Sequence, residues 1–234
     1  MTMDLKATSY RRRLVEFAWP AGAALWLMLA AAQAYAGEVH ARIVDQSGNP
    51  VEDAVVIAKP SVAESPSAAA RAADNVVDQI DKEFVPYVKA VLIGSQVRFP
   101  NKDNIRHHVY SFSPPKKFEL PLYSGTTAPP VLFDKPGVVV LGCNIHDWMI
   151  GYIYVAETQH FGQSGKDGQV TLKGLPAGTY AVRVWHPRMK QDEQATVKTA
   201  TLAAAGDFDA EWRIDLNPDT RVRRAPAAGG GRYH

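Results

Sequence analysis

The residues of this chain best suited to chemistry lie in LGCNIHDWMIG, positions 141–151, where Cys143, His146 and Met149 fall within seven positions. Cys143 is the only cysteine, so it has no partner for an internal disulfide. A second source of imidazole lies upstream in Arg106-His107-His108-Val109-Tyr110. Thiolate and thioether are soft donors and imidazole is intermediate. Two imidazoles, one thiolate and a long, weak axial Met form the donor set that stabilises both oxidation states of copper. Zinc also accepts Cys and His but gains little from Met. The plain alternative is a buried thiol acting as a small hydrophobe beside a satisfied histidine. Side chains alternate across a strand, so His107 and His108 face opposite ways and at most one can join the set.

Such donors need short strands and a tight loop to position them, and the sequence supplies both. Alternation or apolar runs bounded by turn residues predict strands at Val39–Val44, Ala54–Ala58, Tyr87–Leu92, Gln96–Phe99, His107–Phe112, Val131–Phe133, Val138–Cys143 and Gly151–Val155. KDGQVTLKGLPAGTYAVRVWHPR, residues 166–188, reads as strand, turn, strand, and 195–202 and 208–216 as further strands. No segment has the periodicity of a convincing amphipathic helix, so the fold class is all-β, in β-sandwiches. Residues 61–74 are an Ala/Ser/Pro linker, and 217–234 a Gly- and Arg-rich tail without apolar content for a core.

Two family resemblances follow from these motifs. VDQSGNPVEDAVV and DGQVTLKGLPAGTYAVRVWHP resemble the opening and the later hairpin of carboxypeptidase-regulatory-like (transthyretin- or CnaB-like) sandwiches. Between them, VLIGSQVRFPN, HHVYSF and FDKPGVVVLGCNIHDWMIGYIYV resemble, in order, the segments of a cupredoxin domain of the plastocyanin and amicyanin kind. The combination also resembles periplasmic methylamine-utilisation or plastocyanin-like proteins. The implied architecture is a Greek-key cupredoxin sandwich over 75–157, inserted into a small Ig/transthyretin-like sandwich made of 38–60 and 165–216.

The resemblance implies a single mononuclear copper site with Cys143, His146 and Met149 as loop ligands and His107 as the fourth. Cupredoxins usually carry His-Asn-Val at that strand, which puts His107 on the ligand and His108 where an Asn normally ties the ligand loops together. The implied activity is single-electron transfer between redox partners, with His146 as the port to solvent, and not enzymatic turnover. Copper sequestration or delivery with the same ligands is the nearest alternative, and a metal-free scaffold or adhesion module suggested by the outer sandwich is another. Trp148 is expected to cover the site or to serve as a core aromatic. His40, His160, His186 and His234 lie outside the motif and are expected to be surface or packing residues.

The N-terminus bears on compartment and partners. Residues 1–36 run from the basic cluster Arg11–Arg13 through WPAGAALWLMLAAA to Ala34-Tyr35-Ala36, the pattern of a cleaved export signal. The expected location is therefore the periplasm, with no membrane span after signal removal, since Pro20 and Gly22 interrupt a run already short for one. Residues 1–36 hold four basic and two acidic residues, and the remainder carries 22 of each. That balance gives no support to a nucleic-acid partner. A periplasmic redox protein is the expected partner. Lys116 and Lys117 either rim its docking surface or form a solvated basic turn.

Overall fold

Two strands that are apolar on both faces set the layering. In VVIA (55–58) and in IYVA (153–156) successive residues are buried, where a half-exposed strand would alternate. A strand of this kind must be covered on each side. The computed structural model describes residues 37–64, 74–125, 128–204 and 206–221. The export-signal reading lies outside them, as do 65–73 of the linker and 222–234 of the tail. No helix among the described residues is long and apolar enough to cross a membrane.

The strands are β1 (Gly37–Val44), β2 (Val55–Pro60), β3 (Asn75–Val76), β4 (Asp78–Ile80), β5 (Glu83–Val85), β6 (Val88–Leu92), β7 (Ser95–Arg98), β8 (His107–Ser111) and β9 (Phe118–Tyr123). They continue with β10 (Val131–Phe133), β11 (Gly137–Gly142), β12 (Ile150–Ala156), β13 (Phe161–Gln163), β14 (Gln169–Leu175), β15 (Gly178–Trp185), β16 (Lys198–Leu202) and β17 (Asp207–Arg213). A 3-10 turn, Glu193–Thr196, is the one helical element among the described residues. The protein is therefore all-β.

Four sheets stack through three apolar layers, with the hairpin β4-β5 beside them. The sheets are β14-β1-β17, β13-β2-β15-β16, β6-β12-β11-β8-β9 and β10-β7-β3. Val39, Ile43, Val56, Leu172, Tyr180 and Val184 fill the layer between the first two. Val97, Val109, Phe133, Leu141, Ile153 and Val155 fill that between the last two. Val55 and Ile57 of β2 meet Val88, Tyr154 and Ala156 of β6 and β12 in the middle layer. Thus β2 gives Val56 and Ala58 to one core and Val55 and Ile57 to the next, and β12 divides its side chains in the same way.

The short strands β3, β4, β5 and β13 are not among those the sequence predicts, and neither is β9; the start of the predicted strand 195–202 also differs. FELPLY forms β9 although it contains Pro121; β9 is the edge of its sheet, the place where a missing N–H is tolerated. Residues 193–196 form the 3-10 turn, and the strand begins only at Lys198. Asp192 starts that turn by accepting the Gln194 N–H at 2.7 Å, and an aspartate in this role favours a helical turn over a strand.

His186, just beyond β15, is buried among polar neighbours. Burial, reinforced by Arg188 and Arg221 and only partly opposed by Asp219 and the Glu52 backbone, lowers its pKa to about 4. Its Nδ1 accepts the Arg188 N–H, a role the neutral ring can fill. Because the folded pKa lies below the unfolded value, the unfolded chain binds the extra proton first. Stability is then lost as pH falls from about 6.5 towards 4, on the order of 3 kcal/mol for this group. Denaturant titrations of wild type and His186→Gln across pH 4–7 should diverge in that window, with the variant curve flatter. Parallel curves would show that His186 does not titrate as described.

Candidate metal centre

Strand β8 carries His107, and β11 runs through Leu141 and Gly142 to Cys143. The two strands pair antiparallel at Gly142 and Tyr110, which fixes the distance between the upstream histidines and the loop. The close pairing uses Gly142: a Cβ there would lie 2.7 Å from the Tyr110 ring and would push that ring aside. Beyond Cys143 the chain turns tightly, and the Met149 N–H donates to the His146 carbonyl at 2.9 Å before β12 begins. Cys143 and Met149 are both buried in the same core layer.

The turn and the strand bring three donor atoms together. The Cys143 Sγ lies 4.0 Å from the His107 Nδ1 and 4.0 Å from the His146 Nδ1. Donor atoms of these three residues all fall within 4.8 Å of one another. Bonds of about 2.3 Å to sulfur and about 2.0 Å to nitrogen, meeting at 120°, would separate S and N by about 3.7 Å. The sulfur–nitrogen distances are therefore within a few tenths of an ångström of what one shared cation needs, and the soft–borderline donor set suits copper. Met149 belongs to the same loop and is 1% exposed.

His107 and His108 differ as strand alternation requires. His107 is fully buried and turns Nδ1 towards Cys143, while its Nε2 meets the Asp103 carboxylate at 2.7 Å. His108 points elsewhere, with Nε2 2.8 Å from Glu119 Oε1 and Nδ1 buried without a hydrogen bond. The register of β8 against β9 shifts between His107 and Val109, where a step of two residues along β8 matches a step of three along β9.

Sequence reasoning passed over Asp103 and the role of Asn101. Asn101 is buried; its side chain donates to the carbonyls of Ile105 at 2.8 Å and Tyr123 at 2.9 Å, and accepts the Asp103 N–H at 3.0 Å. A buried Asn thus ties the loop before His107 to β9, while His108 hydrogen-bonds outside the site. Burial of Asp103 opposes its ionisation, but the amides of Lys82 and Asp81 and the His107 ring outweigh it and hold the carboxyl below its usual value. The visible signal was an acid four residues before the histidine, in NKDNIRHH.

The surroundings of the loop are apolar and open. Ile145, Trp148 and Ile150 are partly exposed and Phe112 is 77% exposed. The Trp148 ring lies 5.1 Å from that of His146. A cleft lined in part by Tyr110, Phe112, Cys143, Asn144, Met149 and Ile150 opens beside the site. Lys116 lies 3.6 Å from Asp134 in an ion pair, and Lys117 is exposed.

No family model and no curated protein matches the chain. Solved structures do. A purple cupredoxin from Nitrosopumilus maritimus aligns at 20% identity over 36% of this chain and all of its own, with a TM-score of 0.32. The copper-containing nitrite reductase of Thermus scotoductus SA-01 aligns at 25% identity over 42% of this chain and 25% of its own, TM-score 0.35. A reduced amicyanin variant aligns at 26% identity over 42% of this chain and 98% of its own, TM-score 0.33.

Proposed function

We propose that the chain is a mononuclear copper protein of the cupredoxin kind that carries single electrons between periplasmic redox partners and is not an enzyme. The carrying observation is the convergence of His107 Nδ1, Cys143 Sγ and His146 Nδ1 from a strand and a loop at one end of a sandwich. In this reading His107, Cys143, His146 and Met149 hold the metal, and residues 75–157 form a copper domain within a sandwich of 38–60 and 165–216. Bound copper would supply the Cu(I)/Cu(II) couple.

The protein's own part is rigidity and access. His107, Cys143 and Met149 are buried and packed, so their positions change little with charge state. His146 is the intermediate member, and Ile145 and Trp148 beside it offer apolar contact to a docking partner. Its imidazole edge is the port in this reading.

The test is a visible and paramagnetic spectrum of the copper-loaded chain beside His107→Ala and His108→Ala. A thiolate-to-Cu(II) band should appear in wild type, disappear in His107→Ala and persist in His108→Ala. The opposite pattern would move the ligand to His108, and no band in wild type would end the copper reading. Reversible reduction favours the carrier role, whereas rapid Cu(I) handover to a chelating acceptor would favour delivery.

A further inference from the structure

The bond between Asp103 and His107 has a support of its own, built from the β4-β5 hairpin. Between β4 and β5, Asp81 and Lys82 adopt φ of 54° and 64°. Two successive left-handed residues are the signature of a tight two-residue turn that Gly or Asn ordinarily fills, and a lysine there carries a conformational cost. The turn aims two consecutive N–H groups at one carboxylate: Asp81 donates to Asp103 Oδ1 at 2.7 Å and Lys82 to Oδ2 at 2.9 Å. Oδ2 also meets His107 Nε2 at 2.7 Å. The Asp103 backbone is held from the other side by the Asn101 side chain.

An ionised carboxylate only accepts hydrogen bonds, so the proton between it and the ring must sit on Nε2. The neutral ring then presents its lone pair at Nδ1, the atom that faces Cys143. We infer that Asp103 is a positioning residue for the metal centre: braced by the 81–82 turn, it fixes the tautomer and orientation of His107 and places a negative charge one imidazole away from the cation. The inference rests on the copper reading for its redox consequence, but not for the tautomer. A carboxylate behind a ligating imidazole makes it a stronger donor, and removal of such a partner typically costs 10–100-fold in metal affinity. The added negative charge favours the higher oxidation state, so its loss should weaken Cu(II) binding more than Cu(I) binding. A ten-fold difference between the two corresponds to a rise of about 59 mV in the one-electron potential.

Asp103→Asn is nearly isosteric, and its amide cannot accept all three hydrogen bonds. Two readouts separate positioning from mere structural support. Nitrogen NMR of the metal-free protein should show His107 as the pure Nε2–H tautomer in wild type and as a mixture in Asp103→Asn and Asp103→Ala. In the copper-loaded protein, Asp103→Asn should lose 10–100-fold in Cu(II) affinity and rise in potential, while Glu119→Gln, at the His108 contact, should change neither. If the Ala variant fails to fold, the Asn variant decides. A tautomer and a potential both unchanged in Asp103→Asn would overturn the proposal, even with stability reduced. If wild type gives no thiolate–copper band, the copper reading fails by itself, and the metal-free tautomer still decides the role of Asp103.

Discussion

Cys143→Ser should abolish the visible thiolate-to-copper band completely, at any copper concentration, while His146 and His107 still allow weak, colourless binding. The band needs a sulfur orbital bonded to Cu(II), and Cys143 is the only thiol in the chain. The substitution also places a hydroxyl at a site only 3% exposed, in a layer lined by Leu141, Val109 and Met149. A hydroxyl without a good partner there costs about 1–3 kcal/mol. Cys143→Ala separates the two effects, because it removes the sulfur without burying a polar group. Both variants should lack the band, and the Ala variant should unfold at the higher denaturant concentration. A band that survived in either would place the copper on other ligands.

How much of this was legible in the sequence depended on whether the signal was local. The loop donors Cys143, His146 and Met149 stand within seven positions, and a turn between two apolar strands is evident from the residues themselves. Alternation limited the upstream candidate to one of His107 and His108, and the family resemblance, not the spacing, chose His107. Strands β2 and β12 appeared as apolar runs, but which core each side chain joins is decided by the sheets stacked on either side. Alternation puts Val55 and Val56 on opposite faces, but nothing in VVIA says which sheet covers each. Asp103 was legible only as an acid at a suggestive spacing, because its role depends on a turn 21 and 22 residues earlier in the chain. That turn breaks a local rule, with lysine in a left-handed conformation. Such a cost is retained where the surrounding structure fixes it, and this one lies behind the buried His107. β9 carries a proline, which a strand tolerates at an edge, and edge position is a property of the sheet that the sequence does not show.

The middle layer supports the second large effect. Arg183 on β15 is buried, and its Nη2 donates to both oxygens of Glu157, at 2.8 and 2.9 Å, while Nε donates to Glu193. Tyr154 of β12 donates to Glu193 at 2.6 Å, so the group links β15, β12 and the 3-10 turn. Burial works against the charge on Arg183, and Tyr154, Glu157 and Glu193 more than restore it, raising its pKa. Glu157 also loses by burial and is nevertheless held below its ordinary value by its own backbone amide, Arg183 and Lys59. The carboxylates are 26% and 21% exposed, too little for water to replace the guanidinium in full. Arg183→Met keeps most of the packing but leaves the Glu157 and Glu193 carboxylates without the guanidinium they share. The expected loss is about 3–5 kcal/mol, the usual result of removing one partner from a buried ion pair. Urea unfolding should show it, and adding Glu157→Gln to Arg183→Met should return part of it, giving a favourable coupling in a double-mutant cycle. Because Arg183 packs against the opposite side of β12 from Cys143 and Met149, the copper band should keep its position in the folded variant. A loss below about 1 kcal/mol would mean that water reaches the carboxylates once the arginine is gone. A displaced band would mean that the two faces of β12 are coupled and that the middle layer helps to set the geometry of the metal centre.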